Sequence, residues 1–362
     1  MKKIIVVFLL IFGLSACQPS DIKVGFIGSL SIKQSQLAVD ARNAIALYFD
    51  QVNEAGGIHG KMIDLVVKDD EADTDVAIKM HEEFVDEGVD VVIGHVTSNM
   101  ADAMMQSKNL DLLFVTPSIS TFAIDDMDDN IIRTAPTLDG QAIKYLQTTN
   151  QLGLKNNLII YDAMNESYTH NLAKKIIEFN DGNSHYDKVR FDSREDDPHE
   201  FINGIDFTGY DSVFFISQAI DTALFAQYVR GYSEDIFMMT VSWSMTNDLL
   251  VNGGRSVEGM YILGVFLPEE FSEEYLRFQA SFEEKYGYKP TFISFLAYDS
   301  ASILVQALRE TSDYSAQGIK ETVLRMKNFD GVTEAIDINE FGDASRSYMI
   351  YEVKEGIFTP VR

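Results

Sequence analysis

The sequence predicts an α/β protein of two successive halves, each built on a parallel β-sheet with helices on its faces. Short β-branched segments alternate with helical segments, which is typical of sheets assembled from strand–helix–strand units. The alternation restarts near residue 157, and 362 residues exceed the usual size of a single compact core. The pattern therefore favours two domains of ordinary size.

The first half contains four predicted strands with helices between them. Apolar residues at helical spacing predict a helix at 36–55, which ends at Gly56 and Gly57. Alternating or continuous apolar runs predict the remaining elements. These are strands at 22–28, 62–68, 89–94 and 112–115, and helices at 75–87 and 98–107.

The second half repeats this pattern and then adds helices and strands that the pattern does not assign to either half. Its predicted strands lie at 157–161, 188–191, 212–216, 235–240 and within 257–266, with helices at 167–179, 198–205 and 221–231. Three more helices are predicted at 270–286, 293–311 and 315–327, followed by strands at 335–338 and 347–354.

The N-terminus has the layout of an export signal. Lys2 and Lys3 precede an apolar run, and the segment ends at Cys17, the only cysteine of the chain. The run is shorter than the roughly 20 residues that span a bilayer. A cysteine at this point resembles the lipobox of bacterial lipoproteins, so we expect acylation at Cys17. The alternatives are an ordinary signal with an incidental cysteine, or a cytosolic protein with an apolar N-terminus.

Composition argues against several classes of function. The formal net charge of −27 repels nucleic acid and anionic surfaces. The six histidines lack metal-ligand spacing, and no phosphate loop, dinucleotide fingerprint or nucleophile elbow occurs. Acidic runs at 69–71 and 125–129 have the residue types for acid–base chemistry, but such runs are typical of solvated loops. We therefore expect no metal, no cofactor and no catalytic set.

Hydroxyl side chains follow two neighbouring strands of the first half. Ser98 comes shortly after the strand at 89–94, and Ser118 and Ser120 follow the strand at 112–115. Ligands of open α/β sheets bind beyond the carboxyl ends of the strands, where free N–H groups and hydroxyls suit a carboxylate. Each serine alone is equally consistent with helix capping. Two such loops side by side favour ligand binding.

Several segments resemble one family over nearly the whole chain. The helix and turn at 38–61, with the pattern N-x-A-G-G-I-x-G at 53–60, resemble type I periplasmic solute-binding proteins of the branched-chain amino acid receptor kind. Segments at 65–70, 92–98, 115–120, 132–136, 329–333 and 348–356 follow in the family's order.

The resemblance implies two Rossmann-like lobes, joined by a three-stranded hinge, that close on a ligand. It implies crossings between the lobes near 137–140, 265–268 and 329–333. After a signal peptide at 1–16 and a lipidated tether at 17–21, the first lobe would comprise 22–138 plus 268–330. The second lobe would comprise 139–267 plus 331–362.

The resemblance also implies a binding site. Ser98, Ser118 and Ser120 match the positions that hold the ligand's carboxylate in the family, and Tyr168 matches an aromatic residue that covers the ligand. The loop at Ser29 would line the side-chain pocket. For Tyr168, a surface position at a helix start is the alternative.

Two positions depart from the family pattern. The family places a carboxylate beside the ligand's ammonium, but the matching stretch at 239–244 has no acid and carries Trp243. Trp243 would stack on an aromatic or apolar ligand or face a cation, or else only pack in the core. Gln218 stands where an aromatic residue is usual and would donate an amide hydrogen bond. Because a buried ammonium without a partner is costly, these departures argue against an ordinary α-amino acid.

We therefore expect an extracytoplasmic, membrane-anchored receptor for a small carboxylate-bearing ligand, such as an amino acid or a related organic acid or amide. Its expected partners are the membrane subunits of an ABC importer, and we expect a monomer without nucleic acid. A ligand sensor of the same fold, which presents the ligand to a signalling protein, is the alternative. An enzyme on this scaffold would need a catalytic constellation, which the sequence lacks.

Overall fold

The computed structural model describes residues 21–32, 36–265 and 272–361. Two β-sheets with flanking helices form two lobes, which confirms the predicted α/β class. The predicted signal peptide and the predicted acylation site, Cys17, lie outside the described residues. No helix in the described part of the chain has both the length and the apolar character needed to cross a bilayer.

The first lobe begins with a five-stranded parallel sheet. Its strands and their helices are β1 (Ile22–Gly28), α1 (Gln36–Glu54), β2 (Ile63–Asp69), α2 (Thr74–Asp86), β3 (Val91–Ile93), α3 (Ala101–Gln106), β4 (Leu113–Thr116) and β5 (Ile131–Arg133). The strand order is β2-β1-β3-β4-β5, so the chain starts in the middle and winds both ways. Such a change of winding direction leaves a crevice at the carboxyl ends of the strands.

The second lobe repeats this design on a larger sheet. Its elements are α4 (Leu138–Leu152), β6 (Asn156–Asp162), α5 (Glu166–Phe179), β7 (His185–Phe191), α6 (Pro198–Asn203), β8 (Ser212–Ile216), α7 (Ala219–Tyr232), β9 (Phe237–Val241), α8 (Asn247–Gly253) and β10 (Tyr261–Val265). Strands β6 to β10 are parallel. The sequence predicted neither α4 nor α8.

The chain then returns to the first lobe through three helices, α9 (Glu273–Tyr286), α10 (Phe292–Glu310) and α11 (Ala316–Met326). Helix α10 packs along α1, and its buried residues join the core around β1. A small antiparallel sheet follows, made of β11 (Asn328–Asp330), β12 (Ala335–Ile338) and β13 (Ala344–Ser345). Two final strands, β14 (Tyr348–Lys354) and β15 (Ile357–Pro360), extend the sheet of the second lobe.

The predicted third crossing at 329–333 is wrong, and with it the assignment of residues 331–345 to the second lobe, whereas β14 and β15 lie in the second lobe as predicted. Val332, Ile336 and Ile338 are buried in the core of the first lobe, so β12 belongs there. The chain crosses later, between β13 and β14. The sequence correctly showed the alternation of a strand at 335–338 but not which core receives its apolar face.

Two of the crossings leave the first lobe beside a buried arginine. Arg133 ends β5 and forms an ion pair with Asp343, with its Nη2 2.7 Å from Oδ1. Arg346 follows β13 and pairs with Asp299 at 2.5 Å and with Glu334 at 3.2 Å. Both arginine side chains are only 1% exposed. The arginines therefore fix the ends of the first lobe where the chain departs from it.

Candidate functional site

A cavity of about 60 Å³ lies between the lobes, at the carboxyl ends of their parallel strands. The first lobe contributes Leu37, Val96, Ser118, Ser120, Ala135, Pro136, Phe292 and Leu296. The second lobe contributes Gln141, Asn165, Tyr168, Ser242, Trp243 and Tyr348, and Val265 lies at the end of β10. We call this space the inner cavity.

A larger space of about 920 Å³ adjoins the inner cavity. The two share an apolar collar, formed by Leu37, Trp243, Val265, Phe292 and Leu296. We call the larger space the outer cavity. A ligand whose polar end occupies the inner cavity would therefore place its apolar body at the collar.

The structure brings the three predicted serines together. The Oγ of Ser98 accepts a hydrogen bond from the backbone N–H of Ser120 at 3.0 Å, and Ser98 itself is buried behind the inner cavity. The hydroxyls of Ser118 and Ser120 donate to the carbonyls of Val96 and Pro136 at 2.6 and 2.7 Å. Because hydroxyls rotate, an arriving carboxylate can draw these hydrogens away from the carbonyls.

Tyr168 lines the inner cavity together with Gln141, a residue that the sequence analysis missed. Gln141 Nε2 donates to the Tyr168 hydroxyl at 3.0 Å. Gln141 is 3% exposed, and its Oε1 has no hydrogen-bond partner within residues 21–32, 36–265 and 272–361. Burial raises the pKa of Tyr168, so its O–H stays neutral. A buried acceptor without a partner costs about 1–3 kcal/mol, which a ligand with an O–H or N–H would relieve.

Trp243 and Gln218 lie at different distances from the inner cavity. Trp243 lines both cavities at the collar, whereas Gln218 lines only the outer one. The Gln218 amide donates to Asp221 at 2.8 Å, so it is already engaged. No Asp, Glu, Lys, Arg or His side chain is among the described residues that line the inner cavity.

Ser29, expected at the side-chain pocket, lies instead in a buried polar network. Its Oγ donates to Asp70 Oδ1 at 2.5 Å, and Asp70 Oδ2 lies 2.6 Å from His95 Nδ1. His95 and His81 share a hydrogen bond between their Nε2 atoms at 2.8 Å, and His81 Nδ1 contacts the Ser107 hydroxyl at 2.7 Å. We call these residues the lobe-one network. Asp70 was expected in a solvated acidic loop and is fully buried.

The lobe-one network is electrostatically complete and closed to solvent. Burial, and then the charge of His95, lowers the pKa of His81 to about 3. Burial opposes ionisation of Asp70, but its hydrogen bond and charge interaction with His95 outweigh this and lower its pKa. Ser107 and His81 form a serine–histidine pair, yet no member of the network is more than 4% exposed. A substrate therefore has no access to this pair.

One asparagine of the first lobe contacts the second lobe beside the inner cavity. Asn99 Nδ2 donates to the carbonyl of Met164 at 2.7 Å, and Asn99 Oδ1 accepts from the Ser167 N–H at 3.0 Å. The Asn99 N–H also donates to Asn165 Oδ1 at 3.2 Å. We call this contact the Asn99 bridge. The sequence analysis missed it, because an asparagine after a strand has no distinctive spacing.

A family model for periplasmic binding proteins matches residues 21–356. The chain therefore belongs to the periplasmic binding protein family. Of the site residues predicted for this periplasmic binding protein, Ser118, Ser120, Tyr168 and Trp243 line the inner cavity. Within its described residues, no group of three or more His, Cys, Asp or Glu side chains is arranged to hold a metal ion.

Its relatives and structural neighbours are distant in sequence but cover nearly the whole chain. The Leu/Ile/Val-binding protein homolog 2 of Brucella abortus is 24% identical, over 93% of this chain and 91% of the relative. A leucine-binding protein from Thermotoga maritima matches with a TM-score of 0.83 at 21% identity, covering 94% and 98% of the two chains. A solute-binding protein of an ABC transporter from Rhodopseudomonas palustris, in complex with 3,4-dihydroxybenzoic acid, also has a TM-score of 0.83, at 20% identity and 94% and 96% coverage. These neighbours show the shared fold.

Proposed function

We propose that this protein is an extracytoplasmic solute-binding lipoprotein, which captures a small carboxylate-bearing ligand between its lobes for import by an ABC transporter. The observation that carries the proposal is the inner cavity, where serines at the strand ends of the first lobe face Tyr168 and Trp243 of the second. Closure of the lobes is then a population shift toward a state in which both lobes contact the ligand.

The anchor and the transport partner are parts of the same proposal. Export and acylation at Cys17 place the protein in the periplasm or at the cell surface, with the lipid holding it to the membrane. The membrane subunits of an importer receive the ligand. Among the similar proteins, names that refer to leucine and to an aromatic acid support a small-carboxylate ligand class.

A thermal-shift screen followed by calorimetry tests the proposal. The screen covers amino acids, aliphatic and aromatic acids, and small amides, using the protein without its leader. For a ligand so found, Ser118→Ala with Ser120→Ala weakens binding by several kcal/mol in sum, taking about 1.5–3 kcal/mol for each hydrogen bond to a charged group.

Ser184→Ala is the matched control for the serine pair. Its hydroxyl also donates to a backbone carbonyl, that of Leu154 at 3.1 Å, but at the start of β7 rather than beyond a strand's carboxyl end. This variant keeps the affinity of the unmodified protein. Unchanged affinity in the double variant, or no protection by any carboxylate, refutes the proposed function.

A further inference from the structure

Among the described residues, the lining of the inner cavity has polar groups but no charged side chain, and this limits the chemical class of the ligand in the proposed function. Ser118, Ser120 and Gln141 line the same space of about 60 Å³. A second polar group of the ligand must therefore lie close to its carboxylate if both are to be bound there. The inference concerns that second group, and it rests on the proposed function.

Gln141 is the lining residue with an unused, buried polar atom. Its side chain is 3% exposed, its Nε2 donates to the Tyr168 hydroxyl, and its Oε1 has no partner among the described residues. The Tyr168 hydroxyl accepts from Gln141 and has no protein acceptor for its own hydrogen in the described part of the chain. The pair thus offers the ligand one acceptor and one donor.

The neutrality of this pair does not depend on how the amide is turned. A hydroxyl both donates and accepts, so Tyr168 satisfies one amide atom of Gln141 in either orientation and leaves the other free. The free atom is a neutral oxygen in one case and a neutral N–H group in the other. A ligand hydroxyl complements both, because it is itself a donor and an acceptor.

An ammonium group fits this environment poorly. A cation removed from water needs an anionic partner, and the described lining of the inner cavity provides none apart from the ligand's own carboxylate. Asp40 borders only the outer cavity, and its carboxylate already accepts hydrogen bonds from Gln36, Tyr288 and Thr291. The described site therefore favours a neutral group next to the carboxylate.

We propose that the ligand is a 2-hydroxy carboxylic acid with an apolar or aromatic side chain. The serine loops bind the carboxylate, Gln141 and Tyr168 bind the neighbouring hydroxyl, and the collar around Trp243 receives the side chain. Gln141 is the residue that selects a hydroxyl over an ammonium group.

Matched ligand pairs test this inference by calorimetry. One pair is L-leucine and L-2-hydroxy-4-methylpentanoate, and the other is L-phenylalanine and L-3-phenyllactate. In at least one pair the hydroxy acid binds roughly tenfold or more tightly than the amino acid, as expected when a buried polar group discriminates. Gln141→Glu places an anion at the same position and shifts the ratio by roughly tenfold or more toward the amino acid.

Gln141→Met, of similar size but without the amide, is the control for shape. It weakens hydroxy acid binding without creating a preference for the amino acid. An unchanged ratio in Gln141→Glu overturns the role of Gln141, since a residue needed only for packing would not alter selectivity.

The affinities of the amino acids and hydroxy acids are compared in the unmodified protein, so this test does not depend on whether a variant folds. An amino acid that binds as tightly as its hydroxy analogue in both pairs, or failure of both hydroxy acids to bind, overturns the inference. The proposed function survives either result as long as some carboxylate binds and the serine double variant weakens it. Failure of the function and failure of the inference are therefore distinguishable.

Discussion

Two buried polar clusters lie near the carboxyl edge of the first sheet, and they differ in how far their hydrogen bonds are satisfied. The lobe-one network joins Ser29, Asp70, His95, His81 and Ser107 in an unbroken chain inside one lobe. The inner cavity is shared by two lobes, and no described residue gives Gln141 Oε1 a hydrogen-bond partner. Saturated polar groups stabilise a fold, whereas unsaturated ones remain available to a ligand.

The comparison predicts its largest effect at Asp70. Asp70→Ala leaves His95 and Ser29 buried without their partner, so we expect a loss of about 3–5 kcal/mol in the free energy of unfolding. Urea unfolding followed by circular dichroism at pH 7 measures this. Gln141→Leu is the matched control in the inner cavity: it removes an amide whose oxygen is unpaired, and it changes the free energy by no more than about 1 kcal/mol. Equal losses in the two variants contradict the comparison.

The lobe-one network also predicts a pH dependence of stability. The pKa of His81 is about 3 in the folded protein, against an ordinary value of 6.5 in the unfolded chain. Below pH 6.5 the unfolded chain therefore takes up a proton that folded His81 refuses, and stability falls by up to about 1.4 kcal/mol per pH unit down to about pH 3. This contribution is fully present above pH 6.5. In His81→Gln the free energy of unfolding depends less steeply on pH between 6.5 and 4, by up to the slope that one bound proton produces. An unaltered slope would show that folded His81 is charged.

The smallest effect concerns the Asn99 bridge, whose hydrogen bonds join the lobes rather than complete one of them. Asn99→Ala weakens ligand binding by about 1–2 kcal/mol, because closure loses neutral hydrogen bonds across the cleft. Stopped-flow measurements with a ligand from the screen should show faster dissociation and an unchanged association rate. Asn180→Ala is the control, since its amide bonds to Ser184 within the second lobe. Equal dissociation rates in the two variants would remove the bridge from the closing interaction.

Sequence periodicity predicted most of the strands and helices near the cleft, because each carries its own apolar pattern, but not β5, α4 or α8. The strand-end argument also placed Ser118 and Ser120 at the site, since parallel strands direct the following loops to one edge of the sheet. The absence of an acid beside Trp243 was visible in the sequence as well, and the described lining of the inner cavity agrees with it.

The missed features depend on contacts between distant segments. Gln141 lies within α4, the first element of the second lobe. No strand of that lobe precedes it, so the argument from strand ends does not apply to Gln141. His81 and His95 are 14 residues apart and meet only when α2 packs beside the loop after β3. The expectation that Ser29 lines a pocket failed for the same reason. Nothing in its local sequence indicates that its hydroxyl donates a hydrogen bond to Asp70.

The buried arginines at two crossings have a consequence for the motion between the lobes. Arg133 and Arg346 are held by ion pairs within the first lobe, just before the chain leaves it. At these two crossings, torsional change is therefore confined to the few bonds that follow the arginines: about four residues before α4, and one residue before β14. Such short pivots let the second lobe swing about a nearly fixed axis, so that the serine loops and Tyr168 meet in the same register at each closure.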